Sequence, residues 1–513
     1  MQPMKSRLVV LILIFLPTAL YAFDSILVGT KSMGLAGAVT ANPPLTMAIH
    51  HNPAGLSQAR EGLVYEQSFG LMSFDRKNQF TPDSSFEILG KNAQNDPIAH
   101  TTSANAQNCV YYPFYGQYHG DAQILPLPAG MTWRPQQSPW VFALGSYMPF
   151  MRGMQYPSND PSRFQAHAYY SQHLIYLAPG ISYQWSDRLS FGISAGMGQT
   201  AWGKTNTLRI LNDRFAQSKS IPGVNIGPFD GLGDVKYNLR DDMAVSVNVG
   251  AMWRPFKRLQ LGLTYRSAIR TDLDGDFEIH LSNDFMDLVQ FCKDRPDIAS
   301  EFNALELSHI NRQYVSDTVS LEQLNWPDTL QMGILYEAKP SLSFMFDIHW
   351  TRWSVQDGYH LKFSQDNPLL TIRKALGIST GQTISYPLQM KDTLSYHLGL
   401  EWQIKESFKW RAGLSYHPQS VEDSHISLMN TPDLSYISTG FKWLWPNRWV
   451  VEQSLGFFTS SNKSIPSDSS VNLNDTDSNN CFLSPYAGQS VTTKVSGFVF
   501  SINLRMPLSR YTY

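Results

Sequence analysis

The stretch Leu189-Ser190-Phe191-Gly192-Ile193-Ser194-Ala195-Gly196-Met197-Gly198 decides the fold. Leu189, Phe191, Ile193, Ala195 and Met197 take every second position, while Ser190, Gly192, Ser194, Gly196 and Gly198 take the others. Successive side chains of a strand point to opposite faces, so this segment has one greasy face and one thin, polar face. The same alternation runs through Leu63, Tyr65, Phe69 and Leu71, and through Trp140, Phe142, Leu144 and Met148. From Glu61 to Leu504 it recurs in about fourteen segments, most about 9 to 15 residues long, which suits tilted strands crossing a bilayer. An even count is what a closed bacterial barrel needs. The expected fold is all-β, a closed antiparallel transmembrane barrel of about fourteen strands over residues 61–513.

The connections are unequal. Six short ones, Arg134 to Ser138, Trp185 to Leu189, Arg254 to Leu259, Ala338 to Ser341, Lys405 to Ser407 and Pro446 to Arg448, read as periplasmic turns. Five long ones, near Asp75 to Ile124, Trp202 to Lys236, His280 to Asn325, Gln365 to Lys391 and Thr459 to Gln489, read as outer loops, the asymmetry of an outer-membrane barrel. Trp133, Trp140, Tyr183, Trp185, Trp253, Trp443, Trp445 and Trp449 stand near segment ends as interfacial girdles. The competing reading is a secreted β-rich protein with its greasy faces packed together, which the turn asymmetry disfavours.

Composition narrows the classes. Only 16% of the 513 residues are charged and 13% are aromatic, little charge for so large a surface. Mean hydropathy is −0.25 and no apolar run of helix-spanning length follows the N-terminus, which argues against a helical membrane protein. Leu8 to Leu16, preceded by Lys5 and Arg7, reads as the apolar centre of a signal peptide over residues 1–22, cut after Ala22. The mature chain then begins at Phe23, with 42 acidic residues outnumbering the basic ones, and offers no footprint for nucleic acid. Three cysteines exclude a disulfide scaffold. Cys109 and Cys481 fall in outer loops where they can pair, and Cys292 lies in an amphipathic segment, Asn283 to Arg312, read as helical and free of disulfides.

Residues 23–60 break the alternation. They are rich in small residues and end in Asn52-Pro53-Ala54-Gly55-Leu56, with Asn as a helix N-cap and Pro at the first helical position. Too small to stand alone, this stretch is expected to sit inside the barrel as a plug.

These features resemble the FadL family, the outer-membrane transporters of long-chain fatty acids and other hydrophobic compounds. The likeness rests on Gly34-Leu35-Ala36-Gly37-Ala38 and on Met47 to Leu56, similar to the family's hatch with its Asn-Pro-Ala motif. Leu261 to Ser267, Trp326-Pro327-Asp328-Thr329, Asp347 to Ser354, Lys391-Asp392-Thr393 and Arg411 to Tyr416 follow in the family's order. The resemblance implies a fourteen-stranded barrel in the outer membrane of a Gram-negative bacterium, and passive transport of a long-chain fatty acid or hydrocarbon. The ligand would leave sideways into membrane lipid. It also implies a gating hatch with Asn52, Pro53, Ala54 and Phe23, and a kinked third strand, here Trp140 to Phe150.

Gly145 and Pro149 are the kink candidates, Gly145 reading equally as room for the plug. Lys204 and Arg209 are head-group candidates, against the alternative of a solvated loop face. The C-terminal Tyr511-Thr512-Tyr513 suits reading by the barrel assembly machinery. Aromatic hydrocarbon uptake and an adhesive or structural barrel are the rival functions.

Other motifs carry no chemistry in their context. Gly198-Gln199-Thr200-Ala201-Trp202-Gly203-Lys204-Thr205 matches a phosphate-binding loop, but no helix follows it. His50 and His51 read as a polar surface of the plug, with no further ligand at metal spacing. No catalytic residue, metal or cofactor is expected.

Overall fold

The computed structural model describes residues 24–508 apart from 86, 89–90, 114, 126–127, 210–221, 228, 296–309, 369, 371–381, 389, 422–431, 447, 466–484 and 487. Phe23, Cys481, the signal segment and the C-terminal tripeptide lie outside the described residues.

Fourteen strands close into an antiparallel ring. In chain order they are β1 (Gly62–Pro82), β2 (Ala129–Arg134), β3 (Trp140–Gln155), β4 (Ala168–Ser186), β5 (Leu189–Leu208), β6 (Gly233–Phe256) and β7 (Leu259–Arg266). The remaining seven are β8 (Thr329–Lys339), β9 (Leu342–Thr351), β10 (Thr393–Lys405), β11 (Phe408–His417), β12 (Leu434–Leu444), β13 (Val450–Ser460) and β14 (Gln489–Pro507). Each pairs with its chain neighbours, and β1 closes the ring on β14 from Val64↔Pro507 to Pro82↔Gln489. Closure removes the free edges that an open sheet would expose. The greasy rows face outward: Phe191, Ile193, Val247, Val249, Leu398 and Leu414 are exposed. Trp133, Trp140, Trp185, Trp253, Trp443 and Trp445 form an exposed aromatic row beside the short turns. Among the described residues no helix is long and apolar enough to cross a membrane.

The strands outrun the sequence expectation. β1 is 21 residues long and β6 is 24, so parts of the supposed outer connections at Asp75 and at Trp202 to Lys236 are strand. The reason is further pairing beyond the ring, where β6 binds Leu273–Leu281, which continues to Tyr314–Glu322, Gly358–Phe363 and Thr383–Pro387. A helix, Asn283–Asp294, packs on this extension with Ser282 as its N-cap, Oγ accepting from Phe285 N–H at 3.2 Å. It ends at Asp294, short of the expected Arg312, whose preceding residues 296–309 are not described. Phe285, Leu288 and Cys292 are buried there with Phe277 and Phe363. Cys109 is buried beside Tyr170.

Inside the ring, residues 24–59 form only short turns: Asp24–Leu27, Thr30–Gly34, Ala48–His51 and Pro53–Gln58. These turns pair part of the segment's backbone internally, as in Met33 N–H to Gly29 O and Asn52 N–H to Ala48 O, and side chains of the wall pair further groups. Asn248 Nδ2 donates to Ile49 O and His50 O at 3.1 and 2.7 Å, and Ser194 Oγ donates to Ile49 O at 2.6 Å. Tyr436 donates to Met33 O at 3.1 Å, His397 to Ala36 O at 2.7 Å, and Gln260 to Ala41 O. In the other direction Thr40 N–H donates to Asp347 at 2.6 Å and Thr46 N–H to Glu66 at 2.8 Å.

Toward the short turns, a buried ionic chain joins Glu66 to Arg505, Glu452, Arg411, Glu401 and Lys409, across β1, β14, β13, β11 and β10. Its three carboxylates balance its three cations, as burial of charge requires.

The thin face of the strands is a packing requirement. A Cβ on Gly192 would stand 2.3 Å from the carbonyl carbon of Pro53, and one on Gly262 would stand 2.3 Å from Thr40 O. Both contacts are with backbone, which cannot swing aside. Gly262→Leu is therefore expected to leave a heat-modifiable barrel whose inner segment is displaced. Its ion conductance in planar bilayers should exceed the wild-type value severalfold, and an unchanged conductance would refute the close-packing account.

Candidate functional site

The ring is weakest at β3. Its ladder with β2 runs only from Trp133↔Phe142 to Ala129↔Ser146, and pairing on that side resumes at Asn108↔Met154 with a separate hairpin. On the other side the register with β4 slips between Gly145 and Tyr147 and again between Tyr147 and Phe150. Gly145 opens this irregular stretch and Pro149, which has no N–H to give, lies within it. A Cβ on Gly145 would also stand 2.8 Å from Ile49 Cδ1, so this glycine makes room for the inner segment as well. Where the ladder lapses, side chains fill the wall: Met148 and Met151 of β3 cluster with Met72, Val110, Leu125 and Ile26. Gln123 Nε2 meets Met151 Sδ at 3.3 Å.

Behind this stretch, on the outer side of the inner segment, lies a narrow recess with a free volume of about 20 Å³, lined by Arg152, Ser171, Trp326, Trp353, Tyr359 and Met390 among others. Phe150 stacks on Trp326 with centroids 4.7 Å apart and meets Trp353 at 6.5 Å. The Arg152 guanidinium stands 5.7 Å from both indole rings, and that of Arg266 stands 5.8 Å from Phe150. Trp326 is pinned through its Nε1–H to Thr200 Oγ1 at 3.3 Å. Cations over aromatic faces line a mostly buried recess with room for about one water molecule, so a larger guest enters only if these rings shift.

Lys204 shares the inward row of Thr200 and Trp202 and has Tyr169 and Tyr237 as its ladder neighbours, close to the Trp202–Tyr359 contact at 5.6 Å. Arg209 lies apart, tied to Asp96 at 2.6 Å and Pro485 O at 3.0 Å with its guanidinium over Phe164. The structure therefore directs Lys204 toward the lumen and fixes Arg209 in the outer cap.

Asn52 sits at the floor. Its Oδ1 accepts from Ala54 N–H at 3.2 Å, capping the turn Pro53–Gln58, and its Nδ2 donates to Thr40 O at 2.9 Å and Ala251 O at 3.2 Å. His50 and His51 are buried rather than on a polar surface: Arg266 Nη1 lies 2.8 Å from His50 Nε2, and His51 Nε2 is 2.7 Å from Val28 O. The residues of the recess were not apparent in sequence. One available signal was the row Gly262, Thr264, Arg266, which sets a guanidinium on the thin, inward face of β7.

Residues 19–507 match the family model described as outer membrane protein transport protein (OMPP1/FadL/TodX). An outer membrane protein of Neisseria meningitidis serogroup B is 22% identical over 244 residues, 47% of each chain, so the chain spans about half the length of the curated relative it matches. Among solved structures, a Pseudomonas aeruginosa FadL homologue superposes with a TM-score of 0.68 at 16% identity, covering 96% of this chain and all of that one. The P. putida toluene transporter TodX gives 0.59 at 13% identity, with 96% and 100% covered. The Ralstonia pickettii toluene transporter TbuX gives 0.57 at 14%, with 94% and 100% covered.

Asn52→Ala removes three hydrogen bonds and leaves two carbonyls without this donor, weakening the docked inner segment by roughly 1–3 kcal/mol. The expected result is faster proteolytic clipping of residues 24–59 in a folded, heat-modifiable barrel; clipping at the wild-type rate would show that the amide does not hold the segment.

Proposed function

The chain belongs to the outer membrane protein transport family OMPP1/FadL/TodX, and from that premise we propose that it carries hydrophobic small molecules, long-chain fatty acids foremost, and releases them sideways into the bilayer. The observation that carries the reading is the lapse of the β3 ladder on both sides, level with the aromatic recess and backed by methionines. Residues 23–60 act in this reading as a hatch that blocks the straight path, with Asn52, Pro53 and Ala54 at its docked end and Phe23 at the mature N-terminus. Gly145 and Pro149 set the kink that opens the wall.

Transfer needs no bond chemistry. Each methylene taken from water into an apolar groove contributes about 0.8 kcal/mol, so a long acyl chain is drawn in strongly. Its carboxylate follows only if a cation or donor meets it, because an isolated buried charge is costly. Arg152, Arg266 and Lys204 supply that cationic edge, while Arg209, bound to Asp96, supports the outer cap. Methionines at the wall suit an exit, since unbranched thioether side chains repack around a passing ligand at low cost. The Phe150–Trp326 stack also favours a second reading, uptake of an aromatic hydrocarbon whose ring would stack there.

Uptake by a Gram-negative host that lacks its own transporter and carries this gene tests the reading, with labelled oleate and labelled toluene in parallel. Oleate uptake is expected, and Arg152→Gln should lower it severalfold while sparing any toluene uptake. Toluene uptake alone would transfer the protein to the aromatic reading. Uptake of neither, with the barrel shown to be inserted, would refute transport.

A further inference from the structure

Arg266 reaches from β7 onto the hatch and meets the imidazole of His50, its Nη1 lying 3.0 Å from Nδ1 and 2.8 Å from Nε2. A guanidinium only donates and keeps its charge at every relevant pH. Near-equal distances to both ring nitrogens place this cation over the imidazole, which must therefore be neutral: protonation would press two cations together. We infer that the Arg266–His50 contact is an acid-sensitive latch, which holds the hatch at neutral pH and frees it when the outside medium is acidified.

The remaining groups around His50 offer no compensation. His51 on the same turn stands edge-on with centroids 4.8 Å apart, Tyr147 of β3 lies at 4.9 Å, and His349 of β9 adds a further titratable ring. Arg266, His51 and His349 all disfavour charge on His50, and the nearby carboxylate of Asp347 lies against His349 at 3.6 Å. Behind His349 the imidazoles continue, His397 at 4.0 Å and His417 a further 5.0 Å on, with His397 holding Ala36 O of the hatch. Protonation at His50 thus falls beside rings that would themselves take up protons once water entered.

Burial first, and Arg266 second, hold the docked His50 imidazole well below its ordinary value of 6.5. The released hatch would titrate near that ordinary value, so it binds the proton more readily than the docked one. Docking is at full strength above about pH 6.5 and weakens as pH falls below it.

The inference goes beyond the transport reading and is tested without substrate. The full chain in phosphatidylcholine planar bilayers should be nearly closed at about pH 7.5 and gain at least about tenfold in ion conductance by about pH 4.5, reversibly, since histidine titration lies in that span. His50→Gln keeps an acceptor for Arg266 but cannot be protonated, and should lose most of the acid step. Arg266→Gln leaves a protonated His50 facing a neutral amide, and should lose most of it too. Heat-modifiable mobility verifies each barrel, so that one folded variant suffices. A wild type without an acid step, or a folded variant that keeps the full step, would overturn the latch whatever the substrate proves to be.

Discussion

A backbone with only short helical turns of its own, buried inside a closed ring, is the constraint on which the rest of the molecule depends. Residues 24–59 have only four short turns, and an unpaired buried carbonyl or amide is costly. The wall answers with inward side chains from widely separated strands: Ser194, Asn248, Gln260, His397 and Tyr436 donate, while Glu66 and Asp347 accept. Glycines on the same inward rows let the segment approach within van der Waals distance. The polarity of the inner face is thus largely the complement of one segment's backbone.

That arrangement shapes the path left for a ligand. The docked segment and the ionic chain from Glu66 to Lys409 fill the lumen toward the short turns, so the aromatic recess has a floor. The wall itself is hydrogen-bonded nearly everywhere, and each bonded position resists opening. At β3 the ladder with its preceding strand gives way to Met148, held by packing, and to Met151, which Gln123 also touches. In the proposed reading, a bound molecule that cannot pass the floor leaves at the side.

The fourteen ring strands were legible because lipid and lumen impose opposite polarity on alternate residues, a pattern any strand such as Leu189–Leu208 must show. Their lengths were not, since β5 and β6 continue past the membrane by pairing with strands whose greasy rows face a protein core rather than lipid. The N-cap role of Asn52 could be read from Asn-Pro, but its bonds to Thr40 and Ala251 join residues distant in sequence. The recess was hidden for the same reason: Arg152, Ser171, Trp326 and Met390 come from four separate stretches that only the fold brings together. His50-His51 looked like a polar surface because the arginine that buries the pair lies on β7. Of the two basic candidates, Lys204 follows the inward parity of its strand, whereas Arg209 lies just past the strand's end, where parity gives no guide.

The most direct test of lateral exit is to sew the lapsed ladder shut. Gln123 and Met151 meet at their side-chain tips across the opening, so Gln123→Cys combined with Met151→Cys places two thiols within reach of a short bifunctional methanethiosulfonate, which bridges them reversibly. Uptake of labelled oleate by cells carrying the bridged double variant is predicted to stop and to return on reduction. Full uptake through the locked wall would contradict lateral exit and send the ligand back through the hatch.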